Sequence, residues 1–284
     1  MLDVKAYRAW DESAVTDVVA PNLVSAGCRA LEEYLEFVSV CEADALNRFV
    51  ERLQVRWEEI NESLPHLAPS AVPSAPADSA WVQRTPRIYA AYLAFMSRCV
   101  QISRGDWGST VPIKVLQTQL AQASYLPRYL ILKALVDVLD RDQGIERMKQ
   151  FLDERIARRP KPKAPPKTLR ELRERDIPWN EKDGGQNAIS ALMSEHQCLK
   201  KVTACRIQKV LAPYRDADLM EVIACYPDFA SIRRTNEHFV LTRTRNLIQG
   251  GDYCDTCFHD DRGESEIVHP TRDVFDGLGA SCSA

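Results

Sequence analysis

The stretch RTRNLIQGGDYCDTCFHD, residues 243–260, gathers two glycines, two cysteines, three carboxylates and a histidine. Three chemistries use such a set: a metal clip, a reactive thiol, or a tight turn between strands. The metal reading lacks its second half. Cys254 and Cys257 form a C-x-x-C, but structural zinc needs a turn there and normally a second pair. The chain has no other C-x-x-C, so Cys225, His259 and His269 would complete a site only by tertiary convergence. No metal is therefore expected. The turn reading is more direct. EHFVLTRTR alternates and is rich in β-branched residues, YCDTCFH can pair with it, and Gly250-Gly251-Asp252 supplies the reversal.

A hairpin decides where the thiols point. Side chains alternate along a strand, so Cys254, Thr256 and Phe258 share one face, while Tyr253, Asp255, Cys257 and His259 share the other. The nine cysteines are odd in number and lack framework spacing. With no export signal in MLDVKAYRAWDES, they read as free thiols in a reducing, cytoplasmic setting. Each residue also has a plain structural explanation. A strand cysteine is usually a small buried apolar residue. An aspartate beside glycines is usually a turn hydrogen bonder, and an arginine on a strand usually pairs across the sheet.

The elements that must position these groups follow from composition and periodicity. The 284 residues are 45% hydrophobic and 27% charged, enough for a core without disulfides or metal. A net charge of −3 gives no electrostatic reason to bind nucleic acid or a membrane, and no apolar run is long enough to span one. Residues 155–175 hold nine Lys or Arg against two Glu, but no aromatic interleaves them, which predicts a solvated loop rather than a nucleic-acid surface. The spacing of Leu46, Phe49, Val50, Leu53, Trp57 and Ile60 predicts one buried helical face. The first sixty residues are read as helices that need a partner surface, either the rest of the chain or a second copy. Thr85-Pro86 predicts a helix start, followed by Ile88, Tyr92, Phe95, Cys99 and Ile102 at helical spacing. Pro127 is expected to begin another helix and Gly144 to end it. NAISALMSEHQCLKKVTAC fits either a helix or a strand pair. CRIQKVLAPY and DADLMEVIACY read as short helices, the second capped by Asp216.

From Val202 onward a longer pattern emerges. It comprises V-T-x-C at 202–205, D-L at 218–219, C-x-x-D at 225–228, L-x-R-T at 241–244, G-G-D at 250–252 and C-D at 254–255, with Phe258 behind. In order and spacing this run resembles the L-2-amino-thiazoline-4-carboxylic acid hydrolase (ATC hydrolase) family. The helices from about 81 to 158 suit that family's helical N-terminal half. One departure matters: the family usually continues C-D-F, where this chain has Cys254-Asp255-Thr256-Cys257-Phe258. The resemblance implies an α+β fold, with a helical N-terminal half followed by a small antiparallel sheet with short helices and a closing β-hairpin. The expected division is a helical extension over 1–63, a Pro-rich linker over 64–80, the ATC hydrolase-like domain over 81–262 with a basic Pro-rich loop at 158–167, and a tail over 263–284.

The resemblance also implies chemistry: opening a cyclic C=N bond of a small thiazoline- or amidine-type carboxylate without a cofactor. Under it, Cys254 or Cys225 is the thiol nucleophile and Asp255 or Asp228 the acid/base. Arg243, with Thr244 beside it, holds the substrate carboxylate. His238, which heads the strand paired with that of Cys254, is a further candidate. Cys225 closes a predicted helix, whose C-terminal dipole raises a thiol pKa, so Cys254 is the favoured nucleophile. The added N-terminal helices and the altered motif suggest a specialised relative, in secondary metabolism. The expected partner is a small-molecule substrate, with neither nucleic acid nor membrane. The alternative is a non-catalytic small-molecule-binding or sensor domain of the same fold, whose N-terminal helices transmit a signal or dimerise.

Overall fold

The computed structural model describes residues 3–8, 11–64, 79–101, 106–183, 185–263 and 266–279. The strands are β1 (Asp3–Arg8), β2 (Val15–Val18), β3 (Ile113–Leu116), β4 (Gln186–Leu192), β5 (Gln197–Cys205), β6 (Phe239–Thr242) and β7 (Cys254–Asp260). The helices are α1 (Ala20–Cys41), α2 (Leu46–Ser63), α3 (Ala80–Arg84), α4 (Pro86–Val100), α5 (Gln117–Val138), α6 (Arg141–Arg158), α7 (Leu169–Asp183), α8 (Arg206–Leu211), α9 (Ala217–Ala224), α10 (Pro227–Thr235) and α11 (Arg272–Gly277). The fold is α+β, helical first and with its main sheet late in the chain. The chain divides into two compact units, one of residues Glu12–Phe151 and one of Met1–Asp11 with Leu152–Ala284.

The helical unit is organised by the face expected on α2. Phe49, Leu53 and Trp57 are fully buried. Trp57 meets Tyr92 edge-on at 5.3 Å and Phe95 at 5.0 Å, linking α2 to α4. Pro86 opens α4 as anticipated, where its missing N–H costs nothing. Ile102 and residues 65–78 of the Pro-rich stretch lie outside the described residues.

Several sequence expectations give way here. Pro127 does not begin a helix; it lies inside α5. Its neighbours Leu126, Leu130, Ile131 and Ala134 are all buried, and that burial outweighs the lost N–H. Gly144 does not end that helix but lies within α6, where an added Cβ would stand 2.8 Å from the Val136 backbone nitrogen. Its glycine permits close approach to α5 rather than a left-handed turn. The first residues are not helical either. β2 pairs with β3, and β1 joins the main sheet through Asp3↔Leu192. A partner so distant in sequence leaves no local signal.

The sheet unit carries the five-stranded order β1-β4-β5-β7-β6, antiparallel throughout. NAISALMSEHQCLKKVTAC is thus a strand pair. Asp216 caps α9 by accepting from the Leu219 N–H at 3.4 Å. One sheet face buries Leu192, Cys198, Phe239 and Leu241 against Leu169 of α7 and Ile232 of α10, with Phe258 packed beside them. The opposite face buries Ala191, Leu199, Tyr253 and Cys257 against Phe275 and Leu278, in and just after α11. β6 and β7 form the expected hairpin, with Val240 opposite His259. Its reversal is wider than a two-residue turn. Asn246 Oδ1 accepts from the Gln249 N–H at 2.8 Å, and its carbonyl accepts from the Gly251 N–H at 3.0 Å. Gly250 then takes φ 84°, the left-handed conformation that glycine tolerates. Among the described residues, no helix is long and apolar enough to cross a membrane.

Candidate functional site

The chain leaves the sheet after Thr242, and Arg243 becomes the centre of a polar cluster. Its Nε donates to Thr256 Oγ1 at 3.0 Å, and its Nη2 donates to Asp228 Oδ2 at 2.8 Å. Nη1 makes a longer contact, 3.5 Å, to the Cys225 carbonyl. The guanidinium also lies 5.7 Å from the Phe229 ring centroid. The Arg243 side chain is 9% exposed and that of Asp228 50%, so the ion pair is sealed on one side and wet on the other. Burial works against the arginine charge, but Asp228, with Cys225 and Cys254, more than offsets this and the pKa is raised. Local sequence explains the placement. Pro227 starts α10 and sets Asp228 in its first turn, directly after Cys225 closes α9.

Three thiols surround this pair. Cys254 opens β7, and its Sγ accepts from the Leu247 N–H at 3.4 Å. Cys205 ends β5, where its sulfur receives the N–H groups of Gln208 and Ile207 at the start of α8. Cys225 feels Arg243, Asp228, Cys254 and Cys205 electrostatically. Burial pushes the Cys254 thiol up to about 11, while the Leu247 N–H and Arg243 pull the other way. Cys225 and Cys205 are likewise raised, chiefly by burial. Beside them on the same sheet face, Lys200 lies opposite Thr256 in register. Lys200 Nζ donates to Asp176 Oδ2 at 2.7 Å; burial opposes its charge, yet Asp176 and Tyr7 raise its pKa overall. Two ion pairs, Lys200–Asp176 and Arg243–Asp228, thus flank Thr256.

Cys254, Cys225, Asp228 and Arg243 are therefore brought together. Asp255 and Thr244 are not part of that group. Asp255 points to the opposite face, where its carboxylate accepts from the Thr244 N–H at 2.9 Å, the Arg245 N–H at 2.7 Å and the Thr244 hydroxyl at 2.5 Å. His269 Nε2 lies 3.2 Å from Asp255 Oδ2, at ion-pair distance but not aligned as a hydrogen bond. His269 Nδ1 and His259 Nε2 both contact Thr242 Oγ1, at 2.8 and 2.9 Å. His238 sits elsewhere again. It is half-exposed and contacts Asp261 at 3.0 Å, and together with Arg233 it holds that carboxyl below its ordinary range.

Sequence reasoning passes over Cys205, Thr256 and the Lys200–Asp176 pair. Cys205 does stand in the V-T-x-C run, and strand alternation does put Thr256 on the Cys254 face. A buried lysine carries no signal of its own.

A pocket of about 240 Å³ adjoins the cluster, lined in part by Gln208, Arg215, Met220, Leu247, Ile248 and Gly250. Two of these residues also serve the thiols. Gln208 directs its N–H at the Cys205 sulfur and Leu247 at that of Cys254.

Residues 125–258 match the family model of L-2-amino-thiazoline-4-carboxylic acid hydrolase. This span is ATC hydrolase-like. It is a little under half of the chain and contains every member of the thiol and ion-pair cluster. The ATC hydrolase match begins well before Val202, within α5, so the likeness extends beyond the cysteine-bearing run. By name the family is one of hydrolases. No curated protein and no solved structure matches the chain.

Proposed function

We propose that the ATC hydrolase-like region opens the cyclic C=N bond of a small thiazoline- or amidine-type carboxylate, with Cys254 as nucleophile and Asp228 as acid/base. The observation that supports this reading is the convergence of Cys254 and Cys225 on the Arg243–Asp228 pair. In the proposed reaction the thiol adds across the C=N bond. Sulfur bonds to the ring carbon, and Asp228 relays the thiol proton to the ring nitrogen. One ring bond at that carbon then breaks, and water displaces the protein sulfur, so the sum is addition of one water. Arg243 favours thiolate formation by its charge and holds Asp228 in place through the 2.8 Å ion pair. Asp255 has a positioning role, fixing the 244–245 backbone that follows Arg243. A place in secondary metabolism accords with the altered Cys254-Asp255-Thr256-Cys257-Phe258 run.

The test is direct. The protein is incubated with 2-amino-thiazoline-4-carboxylate and followed by NMR. A ring-opened product one water heavier should accumulate and should vanish after thiol alkylation. Turnover no faster than in buffer contradicts the proposal.

A second reading rests on the raised thiols. Cys254, pushed up to about 11, is almost wholly protonated at neutral pH, which suits a binding or sensor domain that never forms a thiolate. Measurable affinity without turnover would favour it.

A further inference from the structure

Arg243 is poorly placed to grip a substrate carboxylate, because it is committed to Asp228, Thr256 and the Cys225 carbonyl. The neighbouring pocket presents a different arginine. Arg215 is exposed and lines the cavity. Its guanidinium has no ion pair or hydrogen bond among the described residues. Its backbone takes φ 55°, a left-handed conformation that costs a non-glycine residue roughly 1–2 kcal/mol. The turn Ala212–Tyr214 before it and the Asp216 cap after it hold that geometry. No carboxylate side chain lines the pocket; the other lining groups are Gln208 and mainly apolar residues. A volume of about 240 Å³ lies below the roughly 300–1,000 Å³ of drug-sized sites and suits a single small ring.

We infer that Arg215 is the carboxylate anchor of this pocket, which takes a small monocarboxylate with a compact, largely apolar body. The inference rests on the proposed function for the link to catalysis, since Leu247 and Gln208, which line the pocket, direct their backbone N–H groups at the Cys254 and Cys205 sulfurs. An unpaired guanidinium above an apolar cavity selects a planar anion, because its fork matches both carboxylate oxygens. With no carboxylate lining the pocket, a ligand that carries positive charge alone is disfavoured.

Calorimetry on the full chain tests this. The probes are 2-amino-thiazoline-4-carboxylate and 2-amino-2-thiazoline, which differ only by the carboxylate. Wild-type protein should prefer the carboxylate probe. Arg215→Ala should weaken that probe at least about tenfold and leave the other within about twofold, while Arg215→Lys keeps part of the preference. An unchanged melting temperature establishes that the variant folds. The inference is overturned if wild-type protein shows no preference, or if Arg215→Ala binds the carboxylate probe as wild type does. Binding and turnover are read separately. Arg215-dependent binding without ring opening would sink the proposed function alone, and intact turnover with normal binding in Arg215→Ala would sink only this inference.

Discussion

The two faces of β7 have opposite characters. On one, Cys254 and Thr256 border two ion pairs, and a half-exposed carboxylate gives access to water. On the other, Asp255, Cys257 and His259 are sealed, their polar atoms spent on the backbone and on the Thr242–His269 contacts. Along β7 the side that carries Cys254 thus borders the ion pairs, while the side that carries Asp255, Cys257 and His259 is consumed by structure. Residue type does not separate the two faces. Both carry a cysteine, and an aspartate serves each: Asp255 from the strand and Asp228 from α10. What distinguishes the two aspartates is that Asp255 is buried and spent on the Thr244 and Arg245 N–H groups, whereas Asp228 is half exposed and pairs with a side chain.

The largest expected effect lies on the sealed face. Asp255→Ala strands two backbone N–H groups and a hydroxyl in a part-buried loop, and should cost about 3 kcal/mol in urea unfolding. A cost under about 1 kcal/mol would blur the distinction. Asp228→Asn, on the open face, should behave inversely. Because Asp228 is half exposed, the stability loss should stay near 1 kcal/mol, while kcat falls at least about 100-fold. A sharper contrast comes from alkylation mapped by mass spectrometry. With its thiol near 11, Cys254 should react about tenfold faster per pH unit from pH 7 to 10, without the plateau of an ordinary thiol. Cys257, with no exposed surface, should stay unmodified while the protein is folded. Equal labelling of both would erase the difference between the faces.

Much of this arrangement is legible in the residues themselves. Alternation along YCDTCFH separates Cys254 from Cys257, and the C-x-x-D and L-x-R-T runs hold Cys225, Asp228 and Arg243, which meet in the fold. What the sequence hides depends on long-range packing. Cys205, Cys225 and Cys254 come from the ends of β5, α9 and the hairpin loop, and no local pattern states that those ends meet. Asp255 reads as an acid/base because aspartate often is one; its commitment to the Thr244 and Arg245 backbone exists only in the folded loop. His238 heads the right strand, yet it lies at the outer end of β6, away from the Arg243 end where the cluster forms. β1 and the helix through Pro127 escape local reading for a related reason. Pairing with distant Leu192, and burial of Leu126 and Leu130, override what the local residues prefer.

The central claim is that the Cys254 face, and not the Cys257 face, performs the chemistry. It is tested most directly by comparing turnover of 2-amino-thiazoline-4-carboxylate in Cys254→Ala and Cys257→Ala, both verified as folded. The account predicts loss of at least about 100-fold in the first and activity within about threefold of wild type in the second. Retained turnover in Cys254→Ala would contradict it.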